Sequence, residues 1–386
     1  MNFNEIIDRS GRGAIKGDWR KKLFGTEDVI PMWVADMEFK SPDCVIDALK
    51  DTLDYGVLGY HAPTTAYYEA IIDWQAKHHD MYLEEEWLNY CPGVVTGIAI
   101  AINAFTEEND EIVVQTPVYF PFFEYPKRNN RKVVYNTLIE QDGTYVMDFD
   151  DLEMHFANGA KMFILCTPHN PAGRIWKREE LAKVAELAEK YKVTVIADEI
   201  HADLALGGRE VVSYATISEE AANHSLTLIA PSKTFNIAGL STSVAIIKNA
   251  KLRHQWVAKC EAYEMQAGDF LGYGALIAAF NEGDEWRQAM LKHLDDNVEY
   301  TLDYFEKYIP KIKAWRPEAS FLMWLDCRAL ELSDIELKHF FVKKAKLGLS
   351  SGIQFGEEGS GFMRMNFAVP RPILEQALEQ LKNAFL

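Results

Sequence analysis

The sequence predicts an α/β protein: a mostly parallel sheet covered by helices on both faces, followed by a smaller α+β unit. Three observations predict it. Short β-rich runs alternate with helical stretches from about residue 90 to 250. Those runs are apolar almost throughout, as strands buried on both faces must be. Beyond about residue 284 the alternation stops, and helical runs flank two β-rich segments.

In chain order, strands are expected at Glu111–Gln115, Lys132–Tyr135, Lys161–Cys166, Val193–Ala197 and Leu226–Ala230. Arg178–Lys190 repeats its apolar residues at helical spacing and predicts a crossover helix. The C-terminal part is expected to hold a helix over 284–308, strands over 321–327 and 362–369, and a last helix over 373–385. The first ~45 residues carry no sheet pattern. They are expected to wrap onto the C-terminal unit or onto a neighbouring subunit. The expected division is therefore 1–45, 46–283 and 284–386.

Of the 386 residues 48% are hydrophobic, enough for a sizeable core. Forty Lys and Arg against 58 Asp and Glu leave a net charge of −18. Such a surface repels phosphate backbones, which argues against nucleic acid and anionic membrane as partners. No apolar run approaches the ~20 residues of a membrane helix. The start, Met1 to Glu5, lacks the pattern of a signal peptide. Cys44, Cys91, Cys166, Cys260 and Cys327 are scattered and without CxxC spacing. They are expected to be reduced thiols in a cytoplasmic protein.

Ligands of open α/β sheets bind beyond the carboxyl ends of the strands. Four expected strands are followed there by chemically useful residues. Tyr119 follows the first, Asn170 the third, Asp198 and His201 the fourth, and Ser232 and Lys233 the fifth. A lysine in such a place can form a Schiff base with an aldehyde. A carboxylate opposite can keep a pyridine nitrogen protonated, an aromatic can stack on a flat ring, and an amide can donate to a phenolate. Together they describe a pocket for pyridoxal 5′-phosphate (PLP). Gly93 to Gly97 precede a helical stretch, and a helix start there would offer free N–H groups, including those of Val95 and Thr96, to a phosphate.

These residues carry a resemblance. Asn170-Pro-Ala-Gly173-Arg174, Asp198-Glu199-Ile200-His201 and Ser232-Lys233-Thr234-Phe235-Asn236, with Gly239, are similar in order and separation to the PLP enzymes of fold type I, class I/II aminotransferase superfamily. The likeness covers essentially the whole chain. The segments Pro31–Met37 and Tyr55–Tyr60, with His201, resemble more narrowly the cystathionine β-lyase-like C–S lyases of the MalY/PatB group. The resemblance implies a three-layer PLP-dependent transferase fold with a smaller α+β domain, and a homodimer. It implies that Lys233 carries the cofactor and that Arg364 grips a substrate carboxylate. It also implies that Asp36 borders the substrate entrance and that Tyr60 reaches the cofactor phosphate of the other subunit. Two positions depart from the wider superfamily. His201 stands where many aminotransferases have Tyr. Ser241 stands where many have a phosphate-binding Arg. The phosphate is then expected to rest on neutral donors: Ser232, Thr96 and Tyr60.

Each residue also has a plainer reading. Lys233 could be a surface lysine, Asp198 a helix cap, Tyr119 core, and Arg364 half of a surface ion pair. Period-2 alternation turns Arg364 away from the face of Met363 and Met365. His201 and Asp203 beside Asp198 could suggest a metal, but no second cluster completes a ligand set. His78-His79 is expected to be a solvated pair on a helix. The expected function is a PLP-dependent β-lyase acting on amino acids with sulfur on Cβ. The rivals are an aminotransferase and a PLP-binding regulator working through a protein partner.

Overall fold

The structure, a computed structural model, describes residues 1–265 and 268–386. Seven strands build the larger sheet: β1 (Leu88–Cys91), β2 (Glu111–Thr116), β3 (Lys132–Thr137), β4 (Met162–Cys166), β5 (Thr194–Asp198), β6 (Ser225–Ile229) and β7 (Ser243–Ile246). They are hydrogen-bonded in the order β1-β7-β6-β5-β4-β2-β3. From β6 to β3 all pairs are parallel. Only β7 runs against its two neighbours. Neither β1 nor β7 was expected. Each is four residues long, too short for periodicity to register.

Successive side chains of a strand point to opposite faces. Ile112, Val114, Met162, Ile164 and Ile196 meet helix α1 (Val94–Phe105) in one apolar layer. Val113, Phe163, Leu165, Val195 and Ala197 meet helix α2 (Arg178–Tyr191) in another, through Leu181, Val184, Leu187 and Ala188. Truncating one of these buried leucines to alanine would cost about 2–5 kcal/mol. The layers therefore run helix, sheet, helix, as the unbroken apolar strands require.

A second sheet contains β8 (Lys313–Ala314), β9 (Leu322–Asp326), β10 (Ser350–Ser351) and β11 (Phe362–Asn366), in the order β8-β9-β11-β10, all antiparallel. Helices α3 (Asp284–Tyr308) and α4 (Arg371–Asn383) bury Met290, Leu294, Leu374 and Leu378 in the same core as Met323, Leu325, Met363 and Met365. Within the N-terminal segment, Ile30–Pro31 pairs in parallel with Leu347–Gly348. Arg9 and the buried Lys16 pair with Asp36 and Glu38.

The histidine pair is not solvated. The helix Thr65–His79 ends beside Asp203, in the turn that follows β5. His79 Nε2 lies 2.8 Å from Asp203 Oδ1, and the His78 ring packs on Trp74. Asp203 is 124 residues away, so helical periodicity could not show its partner. That carboxylate also accepts from Trp74 Nε1 and Thr234 Oγ1.

Candidate active site

Cys166 pairs directly with Asp198, and Asp198 with Leu228. The loops after β4, β5 and β6 therefore leave one edge side by side. Asn170 follows β4, Asp198 is the last residue of β5, and Lys233 follows β6. Tyr119, after β2, is tied to them by its N–H, which donates to Asn170 O at 3.1 Å.

Asp198 is buried, and its Oδ1 accepts from Ile200 N at 3.1 Å. That bond closes a local turn and caps no helix, since the next helical turn, Ala202–Leu204, begins after His201. Burial pushes the carboxyl up to about 7, with the Ile200 N–H and the Lys233 charge pulling the other way. A carboxylate so placed is stabilised by a cation brought to it. Lys233 follows β6 in the single turn Pro231–Thr234. Burial pulls its amine down to about 8, against the opposing charge of Asp36, while Arg364 adds to the fall. Its Nζ donates to Ala35 O at 2.5 Å.

Arg364 lies on β11, between Trp324 and Ser350 on the flanking strands. It is buried rather than part of a surface pair. Its Nη1 donates to Asn170 Oδ1 at 3.0 Å and its Nη2 to Trp33 O at 2.8 Å, with Ser350 Oγ at 3.4 Å. Its Nε has no partner among the described residues. Among the described residues no carboxylate pairs with it. Burial lowers it to about 10. Arg364 turns away from the face of Met363 and Met365, but β11 is buried on both faces.

His201 is buried against Phe321. Burial holds its ring at about 3, and the charges of Lys233 and Arg364 push in the same direction. It is a neutral imidazole near two cations, and its Nδ1 is unpartnered. Asp203, its neighbour in the metal reading, spends its carboxylate on His79, Trp74 and Thr234.

Helix α1 starts at Val94, four residues before the expected Ile98. Gly93 precedes it with φ 128°, which only glycine adopts readily. The N–H groups of Val95 and Thr96 lie in the first turn, where no intrahelical acceptor exists. Gly97 is inside the helix and not in a turn. A Cβ there would stand 2.7 Å from Leu228 Cδ2 and 2.8 Å from Cys91 Sγ, so its role is close packing of α1 on the sheet. Ser232 lies beside Lys233 and is nearly buried.

Two residues lie outside these contacts. Asp36 gives its carboxylate to Arg9 at 2.8 Å and Lys16 at 3.2 Å. What its segment offers the site is backbone carbonyls: Trp33 O to Arg364, Ala35 O to Lys233, and Val34 O and Asp36 O to Asn366 Nδ2. Tyr60 sits in the loop between helices Asp43–Asp54 and Thr65–His79 and is fully exposed; no contact among the described residues joins it to Lys233. Sequence reasoning passed over Ser350, Asn366 and the Trp33 carbonyl. Trp33 lies in a segment singled out only as a group feature, and nothing local marks a serine or a carbonyl as a ligand.

These residues fit PLP. A lone buried carboxyl at Asp198 suits a pyridinium. The lowered amine of Lys233 suits an imine. Open N–H groups at α1 suit a phosphate. The unpartnered Arg364 Nε leaves a charged edge open to a carboxylate. A cleft of about 970 Å³ opens beside Arg364, and Trp33 and Ser350 line it.

The sequence profile of the family described as aminotransferase class I and II matches residues 27–381. The chain belongs to that family. It is 40% identical over 385 residues to cystathionine β-lyase PatB of Bacillus subtilis (strain 168), covering 100% of both chains. Cystalysin from Treponema denticola, whose crystal structure contains a pyridoxal 5′-phosphate cofactor, superposes with TM-score 0.97 at 36% identity, over 100% of this chain and 98% of that one. The PLP-bound C–S lyase from Staphylococcus hominis gives TM-score 0.92 at 33% identity, again over 100% and 98%. The family and the sheet order agree with the fold-type I architecture expected from the sequence.

Proposed function

We propose that this family member is a PLP-dependent C–S β-lyase. It converts an L-amino acid bearing a thioether or disulfide sulfur on Cβ, with water, into a thiol or persulfide, pyruvate and ammonia. The observation that carries the reading is the buried Arg364 without a carboxylate partner, held by Asn170 in the same pocket as Lys233 and Asp198. That pocket is a receptor for an α-amino acid. The full-length likeness to PatB and to the S. hominis C–S lyase supports elimination over transamination.

When bound, PLP supplies an electron sink for the pair left on Cα after its proton is removed. The chain supplies the rest. Arg364 grips the substrate carboxylate and so fixes rotation about the Cα–N bond. Lys233 Nζ would take the Cα proton as a general base; its lowered basicity keeps a neutral fraction available near pH 8. Asp198 holds a proton on the pyridine nitrogen. Asn170 turns its oxygen to Arg364 and so has its NH₂ free for the phenolic oxygen. Tyr119 stacks on the ring. Val95 N, Thr96 N and Ser232 Oγ take the phosphate. With the Cβ–S bond aligned, its cleavage outruns reprotonation, and the sulfur leaves with the bonding pair.

The same proposal includes a homodimer in which Tyr60 completes the partner's phosphate site. It also includes a cytoplasmic setting, which the five unpaired cysteines support, and the division at 45/46 and 283/284, the latter at Gly283 just before α3. No helix among the described residues is long and apolar enough to cross a membrane.

The test is pyruvate release from L-cystathionine with no keto acid present. Product that appears only with an added keto acid would make the protein a transaminase. Cofactor binding with neither reaction, on L-cystathionine or on S-benzyl-L-cysteine, would favour a regulator.

A further inference from the structure

The cleft beside Arg364 is larger than an α-amino acid head group requires. Its volume of about 970 Å³ lies at the upper end for small-molecule sites. It begins where the carboxylate grip ends, because Trp33 and Ser350 line it and also hold Arg364 Nη2. Phe120, the residue after Tyr119, continues its wall. In the proposed reading Arg364 and Lys233 take the groups on Cα, which leaves the sulfur substituent to be housed.

We infer that this cleft is the subsite for the S-substituent, and that it selects large, apolar, uncharged groups such as aralkyl or long alkyl thioethers. The inference rests on the lyase reading above and names its substrate class.

The walls carry the argument. Phe120, Phe123 and Tyr135 form one side, and Leu349 and Ile353 line another part. Phe120, Tyr135 and Ile353 are 41%, 41% and 40% exposed. Large apolar side chains left in water in one concavity mark a surface awaiting an apolar ligand. The aromatic wall is held from behind: Phe123 and Tyr135 lie 6.3 Å apart, and Lys127 Nζ donates to Tyr135 Oη at 2.8 Å. An aryl group can stack there with little ordering cost.

Charge adds discrimination. Glu124, Glu357 and Glu358 reach the cleft, against Lys338. Arg128 pairs with Glu124. Glu358 accepts from Thr137 Oγ1 at 3.0 Å, so its carboxylate is fixed in place. A substituent ending in a carboxylate meets this acidic rim, while a neutral one does not.

The experiment compares the holoenzyme with its Phe123→Ala and Ile353→Asp variants. The readout is kcat/KM for S-methyl-, S-butyl-, S-benzyl- and S-carboxymethyl-L-cysteine. Leaving-group chemistry is the same in every variant, so it cancels when variant and wild type are compared on one substrate. The S-benzyl to S-methyl ratio is expected to fall about tenfold in each variant. S-butyl should exceed S-carboxymethyl severalfold in the wild type. The Kd of the carbon analogue of S-benzyl-L-cysteine, with CH₂ in place of sulfur, is read from the visible spectrum and should rise about tenfold in the same variants. Ratios and Kd within twofold of wild type in both variants would overturn the subsite. Absence of pyruvate from all four substrates would sink the lyase reading instead, and the analogue's Kd would still decide the subsite.

Discussion

Arg364 Nη1 donates to Asn170 Oδ1 across 3.0 Å, joining two residues 194 positions apart in the chain. A guanidinium can only donate, so the amide must face it with its oxygen. The NH₂ of Asn170 is then directed elsewhere, as a donor to the cofactor's phenolic oxygen requires. In the proposed reading this one hydrogen bond would couple the carboxylate grip to the cofactor contact.

Asn170→Asp tests that coupling. A carboxylate at 170 would form an internal ion pair with Arg364 and compete with the substrate. It would also replace the donor NH₂ by an acceptor. KM for the amino acid should rise by about 10²-fold, the effect of a buried charge pair worth roughly 3 kcal/mol. The visible absorption of the bound cofactor should shift as well. Steady-state kinetics with an unchanged KM would show that Asn170 and Arg364 act independently.

Arg364→Ala should lower kcat/KM by about 10²–10³-fold through loss of a charge-assisted pair in a buried site. Arg364→Lys should recover little of it. An ammonium cannot give two parallel hydrogen bonds to a carboxylate while also holding Asn170 and Trp33. Full activity in Arg364→Lys would reduce the grip to point charge.

Asp198 predicts a pH-dependent stability of the cofactor-free protein. Its folded value is raised to about 7 by burial, against about 3.9 in an unfolded chain. Between these values the folded state holds a proton that the unfolded state has released. Stability therefore falls as pH rises through that window, and levels off above it, by an amount on the order of a few kcal/mol. Asn does not titrate. Cofactor-free Asp198→Asn should be the more stable protein at pH 8, and the gap in Tm should shrink toward pH 5. With cofactor, the same variant should lose about 10²-fold or more in turnover. A gap in Tm that does not change with pH would mean that burial does not destabilise the Asp198 carboxylate.

The proposed contribution of Tyr60 to the partner's site can be read by complementation. Lys233→Ala and Tyr60→Ala homodimers should each be impaired. In a mixed dimer one site inherits both defects and the other inherits neither. Reassembled equal mixtures should regain about a quarter of wild-type activity, since half the dimers are mixed and each has one intact site. Activity no higher than the mean of the two homodimers would place Tyr60 outside the partner's site.

Much of the larger sheet was legible in the sequence, and for a physical reason. Strands buried on both faces must be apolar throughout, and the crossover helix between β4 and β5 must show a 3.6-residue stripe. Those are local signals, and the strands at Glu111–Thr116 and Met162–Cys166 and the helix Arg178–Tyr191 follow them closely. The order of residues after the strand ends was enough to bring Asn170, Asp198 and Lys233 to one edge, because parallel strands must all end on the same side.

What the sequence by itself determined, then, was the layered sheet and the residue types at its edge. The tertiary structure alone decided where charge is left unpaired. Arg364 alternates like any strand residue; that it is buried, held by Asn170 and faced by no carboxylate depends on β9, β10 and Trp33 closing around it. His78 and His79 look like solvent-facing residues until Asp203 and Trp74 are placed against them. The cleft is built from residues near 33, 120, 135 and 350, and no local pattern relates those positions. Pair interactions between distant residues depend on distances in space, which periodicity along the chain does not encode.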